Sequence, residues 1–368
     1  MQLSSRLSCT LSWLVDAASE VPGADRLLVE LGAHLAQDGL PLAGGALTLA
    51  VPHPLIARRT WLWRATSGEI IEALGFAPGG PLTPLGAGPS DDPSRRWLGS
   101  VAAGIVHEDQ VGSRPDAPAL AWIGPRPFTP EETEELRQAA RFAAAPLTAV
   151  SARDTLRAAL DAYLGRRSAA RVLSAPLRRN VGETIQAALL FADLRGFTAL
   201  SESRPPSEVI AALDAWFDRV AGAVHAFGGE VLKFVGDGVL AIFPVGGGSP
   251  RGACDAALRA TSAARAGMTR LDREREQRGL PPLPFGVALH LGEVFWGNIG
   301  AADRLDFTAI GPAVNLVSRL EGLCRPLEKT VLVSGALAVQ TEAPLIALGT
   351  HSLRGIASPC AVFTLPEG

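Results

Sequence analysis

Residues 207–243 carry an unbroken pattern that few folds can accommodate. Val209, Ile210, Leu213, Trp216, Phe217, Val220 and Val224 recur at helical spacing on one side of a long amphipathic segment. Ser207 is placed to cap its start, and Gly228-Gly229 stops it. A strand over 230–235 follows at once, then a Gly236-Asp237-Gly238 turn and a second strand over 239–243. A helix feeding directly into a tight hairpin excludes both an all-helical and an all-β chain.

The flanking segments extend this pattern. An apolar strand over 184–191 precedes it. A helix over 253–275, a strand over 285–291, a helix over 313–323 and strands near Val331 and Val362 follow. The resulting β-α-β-β-α-β order predicts an α+β, ferredoxin-like domain in the second half of the chain.

The first 150 residues read as a separate, mixed α/β domain, as a 368-residue chain leads one to expect. Residues 27–36 have helical apolar spacing, 46–51 and 60–63 read as short strands, and 78–94 form a Gly/Pro/Ser-rich loop. A strand over 119–123 leads to Phe128-Thr129-Pro130-Glu131-Glu132. Here Thr129 is the N-cap, Pro130 the first helical residue and Glu132 the closing member of a capping box. Residues 154–174 read as one connecting helix with a Leu156, Leu160, Tyr163, Leu164 stripe, suited to pairing with its copy in a dimer or to lying on the surface.

Bulk properties exclude several classes. A net charge of −3 and the lack of a basic stretch give no footprint for nucleic acid or a membrane surface. The uncharged run over 39–57 nearly reaches membrane-spanning length, but Pro41, Pro52, Pro54, Gly44 and Gly45 make it a poor spanning helix. No secretory leader is evident, and Cys9, Cys254, Cys324 and Cys360 lack zinc or redox spacing. A reducing cytoplasm is the simplest setting. Of 34 Lys plus Arg, only Lys233 and Lys329 are lysine; this bias gives weight to the lysine that lies inside a motif, Lys233, while Lys329 has no comparable context and reads as a loop charge.

Two acidic positions stand out. Asp193 follows the apolar run 187–192, and Asp237 sits at the tip of the glycine-flanked hairpin. A carboxylate at a strand end beside glycine leaves its oxygens open to a metal and the backbone open to a phosphate. Two such carboxylates on adjacent strands can hold two magnesium ions about 4 Å apart, the separation that clamps attacking and leaving oxygens in phosphoryl transfer. Taken singly, Asp237 reads as turn chemistry and Asp193 as a helix cap. Asn315 and Arg319, four apart on a predicted helix, share a face.

The segments FADLRGFTALSE, GGEVLKFVGDGVLAIF, GVALHLGEVFWGNIG, DFTAIGPAVNLVSRLE and LRGI occur in order from about residue 181. Together they resemble the blocks of class III adenylate cyclase catalytic domains. The strand followed by PFTPEETEELRQAARFAAAPL resembles the closing segment of GAF sensory domains; an α/β regulatory or dimerisation domain of no particular family fits it as well. The implied organisation is a GAF-like domain over 1–150, with a possible small-molecule ligand, a helical linker over 151–180 and a cyclase domain over 181–368.

The cyclase resemblance implies conversion of ATP to 3′,5′-cyclic AMP with two Mg2+ or Mn2+ ions per site. It places Asp193, Asp237 and the Leu194 carbonyl on the metals, and the Phe197 and Thr198 amides on the triphosphate. Lys233 and Thr308 would read adenine, Asn315 would orient the ribose, Arg319 would meet the reacting phosphate and Arg354 the terminal phosphates. It also implies a homodimer, one copy supplying the metal aspartates and the other the base-reading residues, the asparagine and the arginine.

Lys233 lies between Leu232 and Phe234, and strand alternation would point it away from one apolar face. An ammonium point donor suits adenine N1 in a narrow pocket better than a guanidinium fork. Thr308 replaces the aspartate commonest in the family, and its hydroxyl can still accept from the adenine amino group. Guanylate cyclase activity and a catalytically silent dimerisation module are the rival readings. His225 and His290 read as structural, and an Arg319–Glu321 ion pair is the ordinary alternative for Arg319.

Overall fold

The computed structural model describes residues 8–50, 56–76, 93–112, 117–176 and 178–366. Most of the expected 78–94 loop and part of the uncharged run over 39–57 therefore lie outside the described residues. The chain divides into two compact units, Met1–Ala159 and Leu160–Gly368.

The first unit contains α1 (Cys9–Asp16), α2 (Ala24–Gln37), β1 (Gly44–Ala50), β2 (Ile56–Arg64), β3 (Ile70–Phe76), α3 (Pro93–Val101), β4 (His107–Gln110), β5 (Ala119–Ile123) and α4 (Pro130–Phe142). Its five strands form an antiparallel sheet in the order β3-β2-β1-β5-β4. Alternation along the strands sorts the side chains. Leu47, Trp61, Trp63, Leu120 and Trp122 pack with Leu27, Leu31 and Leu136 on one face, while Ala46, Leu62 and Ile123 meet Leu98 of α3 on the other. The capping box closes α4: Thr129 accepts from the Glu132 N–H, and Glu132 accepts from the Thr129 N–H at 2.8 Å. α1, α3, β3 and β4 have no counterpart in the sequence reading.

The connector is not one helix. α5 (Ala144–Leu164) ends at Gly165, whose φ of 80° is a left-handed break, and α6 (Arg166–Ser174) starts anew. Leu156 and Tyr163 of the expected stripe are exposed.

The second unit continues with β6 (Gly182–Leu194), α7 (Phe197–Ser203), α8 (Pro206–Ala226), β7 (Glu230–Val235), β8 (Gly238–Pro244), α9 (Pro250–Gln277), β9 (Phe285–Gly300), β10 (Leu305–Ile310), α10 (Pro312–Glu321), β11 (Val331–Ser334), α11 (Gly335–Ala338), β12 (Ile346–His351) and β13 (Cys360–Thr364). The sheet runs β12-β13-β11-β9-β6-β8-β7, with β10 paired to β9. Its β9-β6-β8-β7 portion is antiparallel and, with α8 and α9, gives the α+β, ferredoxin-like arrangement.

Ala188, Leu190 and Ala192 of β6 meet Trp216 and Val220 of α8 and Ala257 of α9. Ala187 and Leu189, one residue out of phase, meet Val317 and Leu320 of α10. Two expectations are corrected. α8 is entered through Pro205 as N-cap and Pro206 in the first turn, with no side-chain cap from Ser207. β9 does not stop at residue 291 but runs to Gly300, because its second half pairs with β10. Among the described residues no helix is long and apolar enough to cross a membrane.

Candidate active site

Asp193 and Asp237 come together at one end of β6 and β8. Asp193 is the penultimate residue of β6, out of phase with Ala192 and so on the α10 side of the sheet. Asp237 occupies the β7–β8 turn, entered through Gly236 at φ 64°. Buried Trp216 of α8 donates its indole N–H to the Asp237 carbonyl at 2.9 Å, which pins the turn to the helix layer. A Cβ on Gly238 would lie 3.3 Å from Asp193 Oδ1, so the turn and the carboxylate lie side by side.

A third carboxylate joins them. Glu321 ends α10 and reaches Gly286 of β9, the residue paired with Asp193; a Cβ there would overlap Glu321 Oε1. Burial, then the Asp237 and Glu321 charges, push the Asp193 carboxyl up to about 7. Burial also raises Glu321; the neighbouring Arg195 opposes this and Asp237 adds to it. Half-buried carboxylates that repel one another make a place short of positive charge.

Among the described residues no group of three or more His, Cys, Asp or Glu has the geometry to hold a metal ion. The donor set nevertheless fits divalent Mg2+ or Mn2+: hard carboxylate oxygens of Asp193 and Asp237, with the Leu194 carbonyl next in the chain, leaving positions for water and phosphate oxygens. α7 opens beside them after left-handed Gly196, φ 74°. The Phe197 and Thr198 amides lie in its first turn, where backbone N–H groups lack intrahelical acceptors.

Lys233 is placed differently from the alternation argument. The register of β7 on β8 shifts between Val231 and Lys233. Val231 and Phe234 face the α8 side, Phe234 lying 4.3 Å from the Phe217 ring between centroids. Leu232 packs on the α10 side, and Lys233 follows it there to donate to Asp306 Oδ2 of β10 at 3.2 Å. Leu232 and Phe234 thus lie on opposite faces, and a bulge rather than simple alternation aims the lysine. Thr308, two residues beyond Asp306 on β10, is buried, and its Oγ1 has no hydrogen-bond partner among the described residues.

Asn315 and Arg319 are exposed on α10, whose other side buries Ala313, Val317 and Leu320. Arg354 is exposed in the turn after buried Leu353. Among the described residues these three side chains form no hydrogen bond or ion pair. The Arg319–Glu321 pair is not made, because Glu321 turns inward to Gly286. His225 is exposed near the end of α8. His290 is buried against the Ser334 hydroxyl at 2.8 Å, and burial pushes its pKa down to about 4, so it stays neutral.

Sequence reasoning missed Trp216 as a hydrogen-bond donor, Glu321 and Asp306. The signal for Glu321 was available: two positions after Arg319 on a helix places it on a different face, and glycine at 286 leaves it room.

Residues 181–349 match the model of the adenylate and guanylate cyclase catalytic domain family. An adenylate cyclase of Anabaena cylindrica is 31% identical over 160 residues, 42% of this chain and 31% of that protein. Adenylate cyclase 1 of Rhizobium meliloti is 34% identical over 168 residues, 45% of this chain and 25% of that protein. The chain thus spans about a third or less of the length of these relatives. The solved structure of a bacterial light-regulated adenylyl cyclase aligns over 71% of this chain and 85% of its own, with a TM-score of 0.53 and 20% identity, which supports the fold. On the matched segment and the strand order that carries Asp193 and Asp237, the C-terminal unit of this chain contains a catalytic domain of the adenylate and guanylate cyclase family, the class III nucleotide cyclases.

Proposed function

We propose that the chain is an adenylate cyclase that converts ATP to 3′,5′-cyclic AMP and pyrophosphate at sites shared between two copies of itself. The observation that carries this reading is the convergence of Asp193 and Asp237 at one sheet end, with Asp193 pushed up to about 7 by burial and its acidic neighbours. The adenylate cyclases among the relatives and Lys233 in the base-reading position favour ATP over GTP. Bound at Asp193, Asp237 and Leu194, two divalent cations would neutralise the triphosphate and lower the cost of charge on the reacting oxygens.

The protein's own groups do the rest. Phe197 and Thr198 offer backbone N–H groups to the triphosphate, and Arg354 offers its guanidinium to the terminal phosphates. Lys233 donates to adenine N1 while the free Thr308 hydroxyl accepts from the 6-amino group. Asn315 holds the ribose so that its 3′-oxygen lies in line with the α-phosphorus. A bond forms between the 3′-oxygen and the α-phosphorus as the bond to the bridging oxygen breaks. Pyrophosphate leaves, the hydroxyl proton passes to water, and Arg319 stabilises the charge that builds on the phosphate.

In this reading residues 1–150 form a GAF-like regulatory domain that can take a small-molecule ligand, 151–180 form a helical linker and 181–368 form the catalytic domain, in a cytoplasmic homodimer. The β3-β2-β1-β5-β4 antiparallel sheet, covered on both faces by helices, supports a sensory role for the first unit. The deciding test is purified protein given ATP or GTP with Mg2+ or Mn2+, and identification of the product. 3′,5′-cyclic AMP with pyrophosphate is the expected result. Cyclic GMP as the main product, or no cyclisation with either metal, overturns the proposal.

A further inference from the structure

The helix layer of the catalytic unit carries a groove that the reaction above does not use. Its volume is about 730 Å3, within the range of small-molecule sites. Phe227 at the end of α8, Leu258 of α9, Ala343 after α11 and Leu365 after β13 form an apolar wall. All four belong to the core beneath α8 and α9. Leu258 is buried, but Phe227, Ala343 and Leu365 are only partly covered. The groove is remote from the metal end of the sheet. Phe227 precedes β7 and Asp237 follows it, and the six residues of that strand span about 20 Å.

The charges along this groove are unevenly matched. At one end Arg251 pairs with Glu342 at 2.7 Å and with Asp255 at 3.6 Å, and Thr341 donates its hydroxyl to Asp255 at 2.6 Å. Both acids of the groove are thereby engaged. Arg259 and Arg265 line it as well. Arg259 lies over the Phe227 ring, 5.8 Å from its centroid, and among the described residues neither arginine has an ion-pair partner. Ser262 turns its hydroxyl back to the Leu258 carbonyl at 3.1 Å. The two guanidinium groups are therefore the uncommitted side-chain donors. Leu258, Ser262 and Arg265 follow one another at four- and three-residue spacing and share one face of α9, which sets a free cation beside the apolar wall.

We propose that this groove is a binding site for a small organic anion, a carboxylate on an apolar body such as an acyl chain, separate from the nucleotide site. A guanidinium fork matches a carboxylate in a bidentate pair. The partly covered Phe227, Ala343 and Leu365 would lose their contact with water to the apolar body. A cationic ligand meets like charge here, and a neutral chain leaves both guanidinium groups unpaired.

The test uses the full chain without nucleotide or metal, so its outcome is independent of the reaction at the nucleotide site. Decanoate is titrated into the protein by calorimetry, with decylamine and decanol as controls of equal chain length. Decanoate should bind once per chain with a Kd on the order of 0.1 mM, and both controls about tenfold more weakly or not at all. Arg259→Gln and Arg265→Gln should each weaken decanoate binding by about five- to tenfold. Ser262→Glu puts a carboxylate beside the arginines at an exposed helical position that suits glutamate. It should abolish decanoate binding while the ligand-free protein keeps the wild-type unfolding temperature within about 3 °C. No decanoate binding by the wild type at millimolar concentration, decanol or decylamine binding as tightly as decanoate, or undiminished binding in the two arginine variants would each overturn the inference.

Discussion

The Glu230 carboxylate caps a helix from a residue 62 positions away: Oε1 accepts the Ser168 backbone N–H, in the first turn of α6, at 2.9 Å and also the Ser168 hydroxyl. Both residues are buried. α6 has no cap of its own, since its N-cap is Gly165, and the left-handed turn at that glycine lets the helix start approach Glu230. Glu230→Ala leaves both donors buried without an acceptor. It should lower the unfolding free energy of the C-terminal unit by about 1–3 kcal/mol, read from urea denaturation. Glu230→Gln keeps an acceptor oxygen and loses only the charge facing the helix dipole, so its cost should be about 0.5–1 kcal/mol.

The same contact fixes where the catalytic unit can be cut. A fragment starting near residue 175 would discard Ser168, whereas one starting at residue 160 retains it with the whole compact unit. If the first unit is regulatory, the 160–368 fragment should cyclise ATP with a metal requirement like that of the full chain, and its rate should differ from the full chain's. A folded, dimeric 160–368 fragment with no activity would rule out a purely regulatory role for the first unit.

The crowded carboxylates predict a pH signature in metal-free protein. Asp193 has its carboxyl raised in the folded state, from 3.8 to about 7, by burial and then by Asp237 and Glu321. A carboxyl with a raised folded pKa binds its proton more tightly folded than unfolded. Its contribution is favourable at low pH and is lost as pH rises from the unfolded value through the folded one, here between about 4 and 7. Asp193→Asn, measured with chelator present, should therefore raise Tm by about 3–8 °C at pH 7.5, with the gain shrinking toward pH 4. A gain that is the same at both pH values would show that the side chain is not under this strain. The variant should also lose nearly all cyclase activity.

Trp216 is predicted to act on Asp237 through the backbone. Trp216→Phe keeps most of the aromatic packing against Phe285 but deletes the N–H that fixes the Asp237 carbonyl. The expected result is about a tenfold weaker metal requirement curve, seen as a higher Mn2+ concentration for half-maximal rate, with a smaller change in KM for nucleotide at saturating metal. An unaltered metal titration would remove Trp216 from the site.

Assembly gives a complementation test. Asp193→Ala and Arg319→Ala should each be inactive alone. In a shared-site homodimer, a heterodimer of the two contains one site with both lesions and one with none, so mixing should restore up to about half the wild-type rate. Verified heterodimers as inactive as their parents, or full activity from a monomer, would refute the shared site.

How much of this was legible in the sequence differs from element to element. The helix, hairpin and strand over 207–243 were readable because each has its own period and its own glycine punctuation. The capping box at Thr129 was readable because its chemistry is local. The β7 bulge was not, since Leu232 and Lys233 facing one way depends on β8 and β10 rather than on the residues themselves. The second half of β9 was hidden for a similar reason: the expected strand ended at residue 291, before Gly292, and pairing with β10 and β6 carries it on through Gly297 to Gly300. The break at Gly165 was concealed inside an alanine- and arginine-rich helical run, and its meaning depends on a glutamate far along the chain. Which carboxylate accompanies Asp193 was decided by a glycine on a neighbouring strand.

β7 is the last strand of its sheet in hydrogen-bonding order, and it presents Phe234 and Val235 at 50% and 54% exposure beside Lys233. An outermost strand with apolar residues turned to water is a surface on which other chains stick. Protein held below the dissociation constant of the homodimer should therefore lose clarity as well as activity, and conditions that keep it clear should be those that keep it working.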